Sequence, residues 1–286
     1  MTPSEPTRDL GRLPIAWPTL ALAIGVLAVW GGSTAAALVG VLPLWAAGLI
    51  NTLAAFAGFT AMHDASHRSV ARARWLNELV GRASGLPLMA PFPAFRYLHL
   101  EHHKHTNDPL RDPDHYSGRG PKLLLPLRWL TQDLHYYRLY FAAWSRRPVA
   151  ERWETAISLA VLYGVAIALI VSGAWSAVLV LWLIPARVAT ALLALSFDYL
   201  PHRPHVITSR EDRYRATHIL ADAWLTPLFL YQNYHLIHHL YPGVPFFRYA
   251  RIFRAEEATL RAKGARVQYL LGGNKEQGSP DGLVVG

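Results

Sequence analysis

The apolar positions of this chain fall in two long blocks, not in the short alternating runs of a soluble domain. Leu13 to Met62 is fifty residues without Asp, Glu, Lys or Arg, and Thr155 to Ala186 adds thirty-two more. About twenty apolar residues cross a bilayer as a helix, so each block is long enough for two crossings. Gly31-Gly32-Ser33-Thr34 is the natural break in the first block. Ser172-Gly173 is the break in the second, once it is extended past Arg187 to Asp198. Four transmembrane helices are predicted, at about 13–31, 35–62, 155–172 and 175–198. The intervening segments interleave Trp, Leu, Phe and Tyr with Arg. Segments 75–98 and 121–145 therefore read as amphipathic helices lying at a membrane interface. The expected fold is all-α and membrane-embedded, a single domain over 13–270. In it a helical cap (63–154 and 199–270) sits over four spans, with disordered ends at 1–12 and 271–286.

Composition sharpens this picture. The chain is 52% hydrophobic and 16% charged, where soluble domains carry roughly a quarter charged residues. Its net charge of +9 would suit nucleic acid or an anionic membrane, and the placement of the charges favours the membrane. Segments 1–12, 63–154 and 199–286 hold 27 of the 28 Lys and Arg residues, all on one side of the expected bilayer. The positive-inside rule makes that side cytoplasmic, with both termini, and points to a plasma or inner membrane. No nucleic-acid partner is needed. The exception is Arg187, inside the fourth predicted span; it faces the bundle interior, snorkels, or contacts substrate or a lipid headgroup. Cysteine is absent, which removes thiolate metal sites, iron–sulfur clusters and cysteine nucleophiles.

The chemistry lies in the fourteen histidines. His63-Asp-Ala-Ser-His67 places two imidazoles one helical turn apart at the end of the second predicted span. His99-Leu-Glu-His102-His103 places three on one helical face, and His235-Leu-Ile-His238-His239 repeats that spacing. Asp198-Tyr-Leu-Pro-His202 closes the fourth span. Grouped imidazoles repel one another when protonated and are costly to bury unpaired. A metal removes that cost, and neutral imidazole suits zinc, copper, iron or nickel. The candidates are His63, His67, His99, His102, His103, His202, His235, His238 and His239. They exceed the four ligands of one tetrahedral zinc but supply two ions with four or five nitrogens each. Asp198 is expected to orient His202 or hold a metal-bound water, and Asn233 to support the last histidine group. The acidic loop Asp108–His115 is expected to orient ligands or cap helices. There is no H-E-x-x-H, G-x-S-x-G, P-loop or G-x-G-x-x-G motif. A reductant would therefore come from a partner.

These three boxes, in this order around four apolar helices, resemble the membrane fatty acid desaturase/hydroxylase superfamily over about residues 13–255. The resemblance implies a histidine-rich di-iron centre that uses O2 and two electrons to attack an unactivated C–H bond. It also implies His202 as a further iron ligand, four residues beyond a polar residue, here Asp198. An external electron donor of the ferredoxin, rubredoxin or cytochrome b5 type, with its reductase, is implied as well. The strings Phe197-Asp-Tyr-Leu-Pro-His-Arg-Pro204 and Gln232-Asn-Tyr-His-Leu-Ile-His-His-Leu240 are similar to those of cyanobacterial-type carotenoid β-ring hydroxylases. Hydroxylation of a carotenoid β-ring is thus the first expectation. Fatty acyl desaturation or hydroxylation, alkane hydroxylation and 1-alkene formation are the alternatives. The substrate would be lipophilic and reach the metals from the membrane through an apolar tunnel, with Trp75, Phe92, Phe95, Trp129 and Tyr231 as candidate lining. Two other classes compete: a membrane metal-binding protein without redox chemistry, and a lipid-directed metallohydrolase.

Overall fold

The computed structural model describes residues 13–269. The predicted ends at 1–12 and 271–286 lie outside these residues, save that 13–269 stops one residue short of the expected domain limit. Three helical stretches are long and apolar enough to cross a membrane: α1 (Trp17–Leu38), α2 (Leu44–Ser66) and the 51-residue run Val149–Tyr199. Their outward residues, such as Ile24, Leu49, Leu53, Val161, Ile167 and Val171, are exposed and apolar. That is a surface made for lipid.

The sequence misplaced the first break. α1 runs straight through Gly31-Gly32-Ser33-Thr34 and ends at Leu38. The turn falls at 39–43, where Gly40 takes a left-handed conformation (φ +79°) and Pro43 leads into α2. Without water to satisfy the backbone, the helical ladder outweighs glycine's modest helix penalty. Ser33 and Thr34 also do something else. The buried Asn51 of α2 takes a hydrogen bond from Ser33 and donates to Thr34 Oγ1 (2.9 Å) and to the Leu181 carbonyl (2.7 Å), joining three apolar helices. Near it, Gly48 lets α2 approach closely. A Cβ there would lie 2.7 Å from the Val180 carbonyl oxygen.

The expected third and fourth spans lie within the run Val149–Tyr199, which comprises α7 (Val149–Leu169), π-type turns, and α8 (Ile184–Leu193), continuing to Tyr199. Gly173, in the expected turn, breaks the helical geometry with φ +96°, a value other residues avoid, so two helices meet there at a kink.

The remaining helices gather at the C-terminal ends of α2 and of the long run. They include α3 (Arg74–Gly85), α4 (Phe92–His105), α5 (Leu125–Leu130), α6 (Gln132–Ala142), α9 (His235–Leu240) and α10 (Tyr249–Ala262). Two glycines set the α3–α4 corner. A Cβ at Gly81 would lie 2.3 Å from the Phe92 ring, and one at Gly85 2.4 Å from the Ala90 carbonyl oxygen. The all-α expectation needs one correction. β1 (His218–Leu220) and β2 (Arg266–Gln268) pair in parallel, with His218 opposite Arg266. Three-residue strands are too short to show a period-two pattern. The pair backs α9 and α10 through the buried Ile219.

Candidate metal centre

α2 carries His63 in its last turn and His67 as the residue that ends it. The α4 helix presents His99, His102 and His103, the turn after Tyr199 presents His202, and α9 presents His235, His238 and His239. Nine side chains up to 176 residues apart converge as two adjacent groups. His63, His67, His99, His103 and His238 form one. His102, His202, His235 and His239 form the other. The stacked His103 and His239 rings, 4.3 Å apart, join them.

The nitrogens of each group lie close enough together to hold a metal ion. Seven Nε2–Nε2 separations fall between 2.7 and 3.4 Å, from His67–His99 and His103–His238 at 2.7 Å to His202–His239 at 3.4 Å. The Nε2 of His239 faces those of His102, His202 and His235 at once, and a single ring nitrogen makes a single hydrogen bond. Ligand nitrogens about 2.1 Å from one ion stand about 3.0–3.4 Å apart. The spacing therefore suits one ion per group.

Three of the outer ring nitrogens are held so that the Nε2 atoms face inward, while the buried Nδ1 atoms of His63 and His235 have no hydrogen-bond partner. His102 Nδ1 donates to Asp112 (2.8 Å), with Asp114 at 3.3 Å. His202 Nδ1 donates to the Asp198 carbonyl (3.0 Å), and His238 Nδ1 meets the Tyr249 hydroxyl (3.0 Å). Asp112 is itself fixed by the backbone amides of Asn107 and Asp114, and Asp114 by the Tyr136 hydroxyl.

Charge follows the same pattern. Burial, then the neighbouring imidazoles, hold His99, His103, His202, His235, His238 and His239 well below the usual histidine value. Burial, then His102, takes His67 down to about 3. Burial thus favours the neutral form of these rings, the form that can bind a metal. His102 differs. Burial again opposes its charge, but the Asp112 and Asp114 carboxylates outweigh it and raise His102 to about 9. A metal ion at its Nε2 would answer those carboxylates as a proton does.

Next to the histidines lies a cavity of about 90 Å³. Phe59, Met62, Leu88, Phe95, Leu98, Leu193 and Phe197 form its apolar wall. His63, His99, His102 and His235 border it, with the carboxylates of Asp114, Asp133 and Asp198. Of the five aromatic residues offered as tunnel lining, Phe95 alone faces it. Phe92 is buried beneath α3, Trp75 is exposed, Trp129 packs on Tyr199, and Tyr231 packs on Phe246.

Other sequence candidates sit at one remove. The Asp198 side chain borders the cavity, and its backbone carbonyl, not its carboxylate, orients His202. Asn233 donates to the Leu220 carbonyl (2.9 Å) and Thr226 Oγ1 (3.4 Å), so its amide ties the approach to α9 onto β1 and not to a histidine. Arg187 is paired with Asp133 and donates to the Leu130 carbonyl (2.7 Å). His105 lies apart from both groups, near Glu101. Sequence reasoning missed Asp64. It accepts from Thr19 Oγ1 (2.8 Å) and the Phe246 amide (3.3 Å), locking the first box to α1 and to the segment after the third box. A carboxylate between two box histidines was its signal. Tyr249 had none.

The fatty acid desaturase family model matches residues 40–270, and the chain belongs to that family. An sn-1 oleoyl-lipid 12-desaturase of Picosynechococcus sp. is 29% identical over 231 residues, covering 71% of this chain and 65% of that one. The sn-1 oleoyl-lipid 12-desaturase of Anabaena variabilis is 27% identical over 215 residues, covering 69% and 51%. A beta-carotene ketolase of Paracoccus sp. (strain PC1) is 32% identical over 197 residues, covering 68% and 72%. The chain thus spans about half to two thirds of the length of these two desaturases.

Proposed function

We propose that this chain is an integral membrane oxidoreductase whose two histidine groups hold two iron ions. It would use O2 and two electrons to oxidise an unactivated C–H bond of a long lipophilic substrate, and hydroxylation of a carotenoid β-ring is the first assignment. The observation that carries this reading is the cavity, apolar and aromatic on one side and closed by box histidines on the other. The bound irons would supply the oxidising power that side chains lack.

The chain's own residues do the rest. Phe59, Phe95 and Phe197 exclude water and seat an apolar group beside the imidazoles. Asp112 holds His102 in one tautomer, and Tyr249 steadies His238. The membrane arrangement follows from length. The run Val149–Tyr199 would extend about 77 Å as one helix, more than twice a hydrocarbon core of about 30 Å. Gly173 is then a turn between two crossings. With α1 and α2 this gives four, and the basic segments and histidines lie on the cytoplasmic side. Electrons would arrive there from a ferredoxin, rubredoxin or cytochrome b5 type carrier.

A second reading, fatty acyl desaturation, is favoured by the oleoyl-lipid desaturases among the relatives. Expression in two membranes, one making β-carotene and one lacking it, separates the two when products are read by mass spectrometry. A new oxygenated carotenoid supports the first assignment, and a shifted acyl profile replaces it. Unchanged lipids in both, with iron bound and an electron donor supplied, would sink both.

A further inference from the structure

On the far side of α6 from the cavity lies a second pocket, about 560 Å³, lined by Tyr116, Arg119, Arg128, Thr131, His135 and Arg138. Arg82, Arg96, Arg147 and Arg187 each meet a carboxylate. Among the described residues, Arg119, Arg128 and Arg138 form no ion pair. Arg128 is half-buried, and its Nε is sealed from solvent without a hydrogen-bond partner. Its guanidinium lies over the Tyr116 ring at 5.0 Å, and that ring stacks on His135 at 4.2 Å. Burial, then Arg138, Arg119 and Arg128, lower His135 to about 4, so the pocket holds three uncompensated guanidinium charges around a neutral ring.

The surroundings are lipid-like. Leu134 lines the pocket, and Leu123, Leu127 and Leu134 stand exposed, Leu123 at 90%. The same segment is fastened to the apolar run Val149–Tyr199 where Arg187 donates to the Leu130 carbonyl. Exposed leucines beside clustered arginines are the pattern of a surface that enters the acyl layer while its cations meet phosphate. Guanidinium groups are well matched to phosphate oxygens.

We propose that this pocket binds the phosphate group of a membrane phospholipid. The site also bears on the cavity. α6 turns Gln132, Asp133, Tyr136 and Tyr137 toward the cavity and Leu134, His135 and Arg138, with Thr131 just before the helix, toward the pocket. A lipid held on one face thus braces the wall of the other.

The test uses the full chain in a non-ionic detergent, with dioleoyl phosphatidylglycerol as probe and native mass spectrometry as readout. Dioleoylglycerol and inorganic phosphate are the controls. Arg119 and Arg138 are exposed, so R119Q/R138Q tests charge with little risk to folding, and R128Q tests the buried group. Metal content of each variant, measured in parallel, reports that the histidine end is intact. The expected result is retention of the phospholipid and not of dioleoylglycerol, with affinity weakened about tenfold or more in R119Q/R138Q. Equal binding of dioleoylglycerol, or unchanged phospholipid binding in both variants, would overturn the proposal. Inorganic phosphate binding as tightly as the lipid would assign the pocket to a soluble anion instead. Unchanged lipid binding with slower reduction by reduced ferredoxin would make it a protein-docking surface and equally overturn the lipid.

Discussion

Asp112 is the residue on which the second box most depends. It receives His102 Nδ1 at 2.8 Å and two backbone amides, so its carboxylate fixes the imidazole and is itself fixed. Replacing it with Asn keeps the shape but removes the charge that favours a cation at His102. Losing such an outer partner costs about 10–100-fold in metal affinity. D112N should therefore bind metal more weakly by that order, read by competition with a chelator, while N233A keeps wild-type metal affinity. Equal affinities in D112N and wild type would remove the orienting role. Y249F is a milder case, since it removes only the partner of His238 Nδ1.

At the scale of elements, small and polar residues between the long helices set their spacing. Asn51 links α2 to α1 and to Leu181 in surroundings that offer no water. Bonds of this kind are worth about 0.6–2 kcal/mol each in membranes. N51L should lower the melting temperature measured in detergent while leaving the metal content unchanged; an unaltered melting temperature would show the link to be idle. G48V should be worse, because its Cβ would meet the Val180 backbone oxygen and not a side-chain tip able to move.

This scale also shows what the sequence could and could not disclose. The boxes were legible because histidines on one helical face recur at i, i+3 and i+4. The apolar blocks were legible because their length exceeds anything a soluble core asks for. The end of α1 was misread because Gly31-Gly32 looks like a break in water and is none in an apolar setting. Strands β1 and β2 left no pattern, and Asn233 sat next to a box while serving β1. Contacts such as Asp64 with Phe246 join residues 182 apart, and nothing local marks them.

At the scale of the whole molecule, the histidine end stores a pH dependence whose sign can be worked out for the metal-free protein. The depressed group is His67, His99, His103, His202, His235, His238 and His239. Unfolded, each takes a proton near pH 6.5; folded, each does so only at lower pH. Their contribution to stability is thus complete above about 6.5 and is lost as pH falls toward the folded values, about 3 for His67. His102 runs the other way. Raised to about 9, it stabilises fully below 6.5 and loses that contribution as pH rises through 9. Seven groups against one make the acid side dominant. The melting temperature of the metal-free chain should therefore fall steeply from pH 6.5 to 4 and only slightly from 8 to 10. Metal competes with protons for the same nitrogens, so the loaded protein should hold its melting temperature until the metal leaves, with metal release and melting tracking each other along the acid limb. A metal-free chain equally stable at pH 4 and 7 would mean that the nine imidazoles do not share one buried, uncharged site.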